Sequence, residues 1–254
     1  MIVQNKNELN ILREGSRRLA NILQEVASKV GPGMFTQELD TYARELIGKY
    51  GDDPAFLGYR SEGAQIPYPA ALCVSVNDEV VHGIPGNRIL KEGDIVSLDC
   101  GIKHKGLYTD HAITVPVGKI TKELEKLIQT TKEALYVGIQ EAIVGNYIGD
   151  IGYAIENFVK PHKYGIVRIL SGHGVGKKIH EDPYVPNFGK KGKGMELSAG
   201  LVIAIEPMLN LGSEHVVLGK DGYTYSTLDK RPSAHFEHTV VVGKDEAEIL
   251  TCLR

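Results

Sequence analysis

The stretch DIVSLDCGIKHKGLYTDHAITV, Asp94 to Val115, holds two runs rich in Val, Ile, Leu and Thr joined by a short polar segment. That pattern reads as two strands and a turn. Each strand carries an acid inside its apolar run, Asp99 in the first and Asp110 in the second. A turn centred between His104 and Lys105 sets Asp99 directly opposite Asp110, with Cβ atoms roughly 5 Å apart. Two bare carboxylates at that spacing repel by about 3 kcal/mol at an effective dielectric of about 20. A cation between them removes the conflict.

The chain repeats the arrangement. LKEGDIVSLD (90–99) lies over LSAGLVIAIE (197–206), which places Asp99 on Glu206, and TDHAITVPVG (109–118) lies over FEHTVVVG (236–243), which places Asp110-His111 on Glu237-His238. A weaker echo sets His82-Gly83 against His173-Gly174. Two helix patterns precede each set of strands. Leu12, Leu19, Leu23, Val26 and Val30 recur at helical spacing until GPG stops them, and TQELDTYARELIGKY follows behind Thr36 as the N-cap candidate. In the second set TKELEKLIQTTKEALYVGIQEAIV and NYIGDIGYAIENFVKPH are the helices, and GIVRIL, LVIAIEPML and HFEHTVVVG are the strands. A helix-helix-strand unit used twice predicts one domain over 1–254, built from pseudo-symmetric halves of roughly 1–118 and 119–254. The fold class is α/β in the α+β sense, two similar halves folded face to face with an acid at matching strand positions.

Composition narrows the function classes. A chain of 254 residues with 42% hydrophobic content and a net charge of −3 is an ordinary globular protein. It has no apolar run of membrane-spanning length and no signal-peptide core at its start, which predicts a cytoplasmic protein without membrane association. Cys73, Cys100 and Cys252 are odd in number and far apart, so neither a disulfide framework nor a thiolate zinc site is expected. The one dense basic stretch, GKKGKG at 189–194, lacks interleaved aromatics and reads as a solvated loop rather than a nucleic-acid contact.

Asp99, Asp110, Glu206 and Glu237 brought to one place are balanced by two divalent ions, and His173 adds a neutral nitrogen ligand. Oxygen-rich coordination with one imidazole suits manganese, iron, cobalt or zinc, and an open position on such ions makes a hydroxide available near neutral pH. Metal-assisted hydrolysis is the chemistry this predicts. SGHGVG (171–176) fails the spacing of a dinucleotide fingerprint. His82 and His180 are candidates for the neutral donors that polarise a carbonyl.

The motifs VSVNDEVVHGIPG, SLDCG, TDHAIT, SGHGVGKKIHEDP, AIEPM and FEHTVVV resemble those of the type I methionine aminopeptidases across nearly the whole chain. The resemblance implies the duplicated pita-bread fold, antiparallel sheets with helices packed outside and a dinuclear metal site at the centre, and removal of the initiator methionine from nascent proteins whose second residue is small. By motif, Asp99 chelates one ion, Asp110 and Glu237 bridge both, and His173 and Glu206 complete the second ion's sphere. Glu206 also handles a proton, His82 positions or protonates the departing amine, and His180 bonds the scissile carbonyl or its oxyanion. The two ions are cobalt, manganese, iron, zinc or nickel, and a monovalent cation is implied near Asn77 and Ser233. The partners implied are nascent polypeptide N-termini, with transient proximity to the ribosome, and the chain is implied to be a monomer.

Tyr59 and Cys73 match the frame of the methionine pocket. Residues 61–67 look like an insertion within it. Ile179 stands where an aromatic is common, Tyr223 where tryptophan is common, and His235 where glutamine is common.

Overall fold

The computed structural model describes residues 1–60 and 65–253. Four helices, α1 (Lys6–Ala27), α2 (Thr36–Tyr50), α3 (Lys122–Gln140) and α4 (Ile148–Val159), are the longest among them. Nine strands among the described residues form one antiparallel sheet. Its centre comprises β1 (Leu72–Val76), β2 (Ile95–His104), β3 (Leu107–Pro116), β4 (Gly172–Gly174), β5 (Glu181–Val185), β6 (Val202–Ile205) and β9 (Glu237–Val241). Across the sheet they run β1-β2-β3-β9-β6-β4-β5. Two further strands, β7 (Met208–Asn210) and β8 (Ser233–His235), pair in a separate small sheet.

Alternation along the strands assigns the faces. On β2, Val96, Leu98, Cys100 and Ile102 pack into one apolar cluster with Leu19, Leu23 and Leu39 of α1 and α2. Ile203 and Ile205 of β6 and Val240 of β9 enter another with Leu135 of α3 and Ile151 of α4. The helices therefore cover one face of the sheet. Each fully buried Leu or Ile contributes about 1.5–3 kcal/mol relative to exposure. That scale lets the opposite face carry polar groups.

The opening segment is a hairpin, but its register differs from the expected one. His104 pairs with Leu107, so Lys105 and Gly106 form the two-residue turn, both with positive φ (45° and 88°). Such a turn matches strand twist and favours glycine at its second position. Asp99 therefore pairs with Ala112, and Asp110 pairs with Gly101. The shift is two residues, so both acids keep one face and become diagonal neighbours instead of facing each other.

Four other expectations are corrected. Thr36 is the first helical residue and not the cap. Phe35 occupies the cap, its N–H donates to the Glu38 carboxylate, and the Thr36 hydroxyl donates to Gly86. LVIAIEPML breaks at Glu206-Pro207 into β6 and β7, and HFEHTVVVG breaks at Phe236 between β8 and β9. Both strands leave the large sheet for the small one at the same level. Of GIVRIL, only Gly165–Ile166 is a strand.

A Cβ at Gly106 would force an ordinary L residue into the left-handed region, at about 1–2 kcal/mol. Gly106→Ala is expected to lower Tm by several degrees in a melt followed by circular dichroism, leaving the far-ultraviolet spectrum unchanged.

Candidate metal centre

The register places Cys73 beside Asp99, Asp99 beside Ala112, Ala112 beside Glu237, and His173 beside Ala204. With Asp110 two residues from Ala112 and Glu206 two from Ala204, every acid expected at the site projects from the face without helices. Asp99, Asp110, Glu237 and His173 are buried, and Glu206 is half-buried. Three sets of ligand atoms each lie within 4.8 Å of one another: Asp99, Asp110 and Glu237; His173, Glu206 and Glu237; and Asp110, His173 and His180. His173 Nε2 is 3.5 Å from Glu206 Oε1, 3.9 Å from Asp110 Oδ2 and 4.0 Å from Glu237 Oε1. His180 thus reaches the acids as well as the cavity.

Each ligand has a local reason for its place. His173 is flanked by glycines because a Cβ on Gly172 or Gly174 would strike the backbone of Ala204 or Asp182 in the neighbouring strands. The SGHG pattern therefore reports close backbone approach, not phosphate binding. Glu206 directly follows β6, where Pro207 has no N–H to continue the ladder. Asp110 is fixed through its backbone. Its N–H donates to Thr239 Oγ1 (2.9 Å), and the Thr239 hydroxyl donates to its carbonyl (2.8 Å).

The electrostatics of the four carboxylates oppose full ionisation. Burial, followed by the charges of Asp110 and Glu206, pushes Asp99 well above the usual carboxylate range. Burial and Glu206 push Asp110 up to about 8. Burial pushes Glu206 up to about 7 against the partial relief of His173, and Glu237 rises well above its ordinary value for the same first cause. Asp99 Oδ1 and Glu237 Oε1 are buried without a hydrogen-bond partner among the described residues. Buried oxygens without donors are costly. Oxygen-rich donors with one imidazole fit a divalent cation in place of the missing hydrogens.

The acids floor a cavity of about 300 Å³. Phe56, Tyr59, Tyr68, Cys73, Val81, Met208 and Tyr223 supply much of its wall, and His82, His173 and His180 reach it from the sides. His82 has φ +58°, a left-handed conformation uncommon for a side-chain-bearing residue. The next residue anchors the turn: Val74 N–H donates to the Gly83 carbonyl (2.9 Å), and Gly83 N–H donates to Ser75 Oγ (3.1 Å). Burial, then the charge of His235, lowers His82 to about 4. Burial, then His173 and His82, holds His180 far below the ordinary histidine value. Both imidazoles are neutral at pH 7.

Tyr59, Cys73 and Tyr223 line the cavity as expected, but Ile179 does not. It is 4% exposed and packs behind the wall with Phe56, Tyr68 and Cys73. Tyr223 donates from its hydroxyl to the Ile66 carbonyl and stacks edge-on with Tyr68 at 5.1 Å. Residues 61–64 of the expected insertion lie outside the described residues. Asn77 and Ser233 do meet, through Ser233 N–H donating to the Asn77 carbonyl (2.8 Å). Sequence reasoning missed Phe56 and Tyr68 and, at the mouth, Ile169 and Tyr184, which are 68% and 75% exposed. No periodicity marks residues that become neighbours only through tertiary packing.

Residues 10–244 match the profile of Metallopeptidase family M24. Over its full length the chain is 45% identical to a methionine aminopeptidase of Clostridium perfringens, covering 100% of each. It is 43% identical to methionine aminopeptidase 1 of Bacillus subtilis over 99% of both chains. The crystal structure of methionine aminopeptidase from Thermotoga maritima superposes with a TM-score of 0.94 at 39% identity, covering 99% of each chain.

Without metal, the acids and the histidines act on stability in different pH ranges. Histidines whose folded pKa is lowered favour the folded state increasingly as pH rises to about 6.5 and add no further change above it. Carboxylates whose folded pKa is raised to about 7 and about 8 make the folded state bind more protons, so stability falls as pH rises through that range. The stability of the metal-free protein is expected to fall between pH 6.5 and pH 8, by the order of 1 kcal/mol per pH unit, and its Tm to fall with it. Added divalent ion is expected to remove the slope and raise Tm.

Proposed function

The chain belongs to metallopeptidase family M24, and we propose that Asp99, Asp110, His173, Glu206 and Glu237 together hold two divalent ions. It is a metal-dependent hydrolase that removes N-terminal methionine, in keeping with its whole-length identity to methionine aminopeptidases and its pita-bread fold. The observation that carries the site assignment is the pair of orphaned buried oxygens, Asp99 Oδ1 and Glu237 Oε1, among four converging acids. Four carboxylate charges call for two divalent ions rather than one. Asp99 would hold one ion, His173 and Glu206 would hold the other, and Asp110 and Glu237, within reach of both groups, would serve the two together. Cobalt, manganese, iron, zinc and nickel all suit this donor set. A monovalent cation beside the Asn77 carbonyl belongs to the same reading, supported by the meeting of Asn77 with Ser233.

Such ions, when bound, supply Lewis acidity and a water of lowered pKa. The chain's own residues do the rest. The methionine side chain enters the wall of Phe56, Tyr59, Tyr68, Cys73 and Tyr223, which excludes water and orients the first peptide bond toward the acids. Neutral His180 donates to the scissile carbonyl oxygen, where negative charge develops. Neutral His82 donates toward the departing amine and positions it. Glu206 takes a proton from the attacking water at its carboxylate and releases it to the leaving nitrogen.

The substrates of this reading carry a small second residue. Nascent polypeptides are the corresponding substrates, met in the cytoplasm near the ribosome by a monomeric enzyme. No helix among the described residues is long and apolar enough to cross a membrane. One domain of two halves, 1–118 and 119–254, is supported by the two helix pairs, each with its own apolar cluster.

Met-Ala-Ser with added cobalt or manganese is expected to release free methionine, and chelation to stop it. Metal analysis is expected to give two ions per chain at saturation. Glu206→Gln should lower kcat by at least about 100-fold with the fold intact. His82→Ala should lower kcat about 10- to 100-fold at unchanged metal content. Release of a residue other than methionine, or retained turnover in Glu206→Gln, would contradict these assignments.

A further inference from the structure

Glu206 lies between two imidazoles. Its Oε1 is 3.5 Å from His173 Nε2, and its Oε2 is 3.3 Å from His235 Nε2. His235 is 1% exposed, and neither of its ring nitrogens has a hydrogen-bond partner among the described residues. A neutral imidazole carries one N–H and one lone pair, so this ring buries a donor with no acceptor in bonding geometry. Such a group is costly and calls for a reason.

The backbone holds the ring where it is. His235 N–H donates to Thr114 Oγ1 (2.9 Å), and the Thr114 hydroxyl donates back to the His235 carbonyl (2.8 Å). Ser97 Oγ, 2.8 Å from Thr114 Oγ1, completes the clamp from β2. On the other side, β8 pairs His235 with Met208, two residues after Glu206. Both the carboxylate and the imidazole are thus fixed at the point where two strands leave the large sheet. The carboxylate has the freer torsion, since Glu χ3 is broad. A rotation of that group brings Oε2 onto the ring's N–H.

We infer that His235 is a positioning residue whose Nε2–H donates to Glu206 Oε2 and so turns Oε1 toward the cation site. The inference rests on the reading of Glu206 as a metal ligand. It assigns to this chain's own histidine the work of orienting a ligand, which in metal sites shows in affinity before it shows in fold. It also fixes the tautomer, with the proton on Nε2 and the lone pair on Nδ1.

The test uses the metal-free full chain titrated with Co²⁺ by calorimetry. His235→Phe fills the ring's volume without a donor and is expected to weaken Co²⁺ binding about 10- to 100-fold. His235→Gln can donate from its amide over a similar reach and is expected to stay within about threefold of wild type. In ¹⁵N spectra of the metal-free wild type, the His235 ring is expected to show the Nε2-protonated tautomer, with resonances that move in Glu206→Gln. A volume-filling role would leave affinity equal in His235→Phe or protonate Nδ1, and either result overturns the inference. If His235→Phe does not fold, the Gln variant and the tautomer still decide it, since a large loss in His235→Gln or an Nδ1 proton overturns it too. Wild type that binds no Co²⁺ overturns the metal reading and this inference together, whereas a binding wild type with an equally tight His235→Phe overturns this inference alone.

Discussion

Four carboxylates buried on one face of one sheet are the constraint around which the rest of the molecule is arranged. At an effective dielectric of about 20, each pair near 5 Å costs about 3 kcal/mol when both members are ionised. The costs of several such pairs exceed what a few surface contacts return, and they approach the whole net stability of an ordinary domain. Two features let the fold carry them. The two large apolar clusters that the helices build sit on the other face, where Leu98, Ile102, Ile203 and Ile205 are fully buried. Burial and mutual repulsion raise the proton affinities of the acids, a cost that a cation among them would offset.

The same constraint explains the local irregularities. A flat sheet with uninterrupted strands would line the acids up along ladders and leave no concave space above them. Here β6 and β9 stop at Glu206-Pro207 and at Phe236, and the chain continues in the small sheet. The break tips Glu206 and Glu237 toward His173 and opens the cavity beside them. Glycines on both sides of His173 let β5 and β6 close in on a strand only three residues long. The left-handed backbone at His82 serves the same end from the opposite wall.

Much of this was legible in the chain because acids inside apolar runs are informative. Asp99, Asp110, Glu206 and Glu237 stood out against neighbours suited only to burial, and the repeated spacing tied the two pairs together. The turn was misplaced because KHKG offers two adjacent centres, and only the demand for positive φ at Gly106 settles the choice. That error left the faces unchanged, since a two-residue slip preserves the period of a strand. Thr36 failed as a cap because its hydroxyl is taken by Gly86, a residue brought near by the fold. Ile179 was assigned to the pocket by position in a motif, yet the side chain points into the wall behind it. Ile169 and Tyr184 carry no sequence mark at all, since their place at the mouth depends on how a loop and the edge strand β5 meet in the fold.

The apolar wall and the acid floor act on each other, so that selection of the side chain and chemistry at the peptide bond are not separable tasks. Phe56, Tyr59, Tyr68 and Tyr223 exclude water from the space directly above the carboxylates. In the metal-free protein, burial is what raises the proton affinity of Glu206 to about 7. It also strengthens the hold of the acids on any cation and keeps His82 and His180 uncharged, as donors rather than competing positive charges. A methionine side chain that fills the wall removes the remaining water and deepens these effects. A short polar side chain leaves the space wet and weakens them. On the proposed reading, preference for methionine would be expressed in the chemical step itself, because one wall would both recognise the residue and set the dielectric in which its bond is broken.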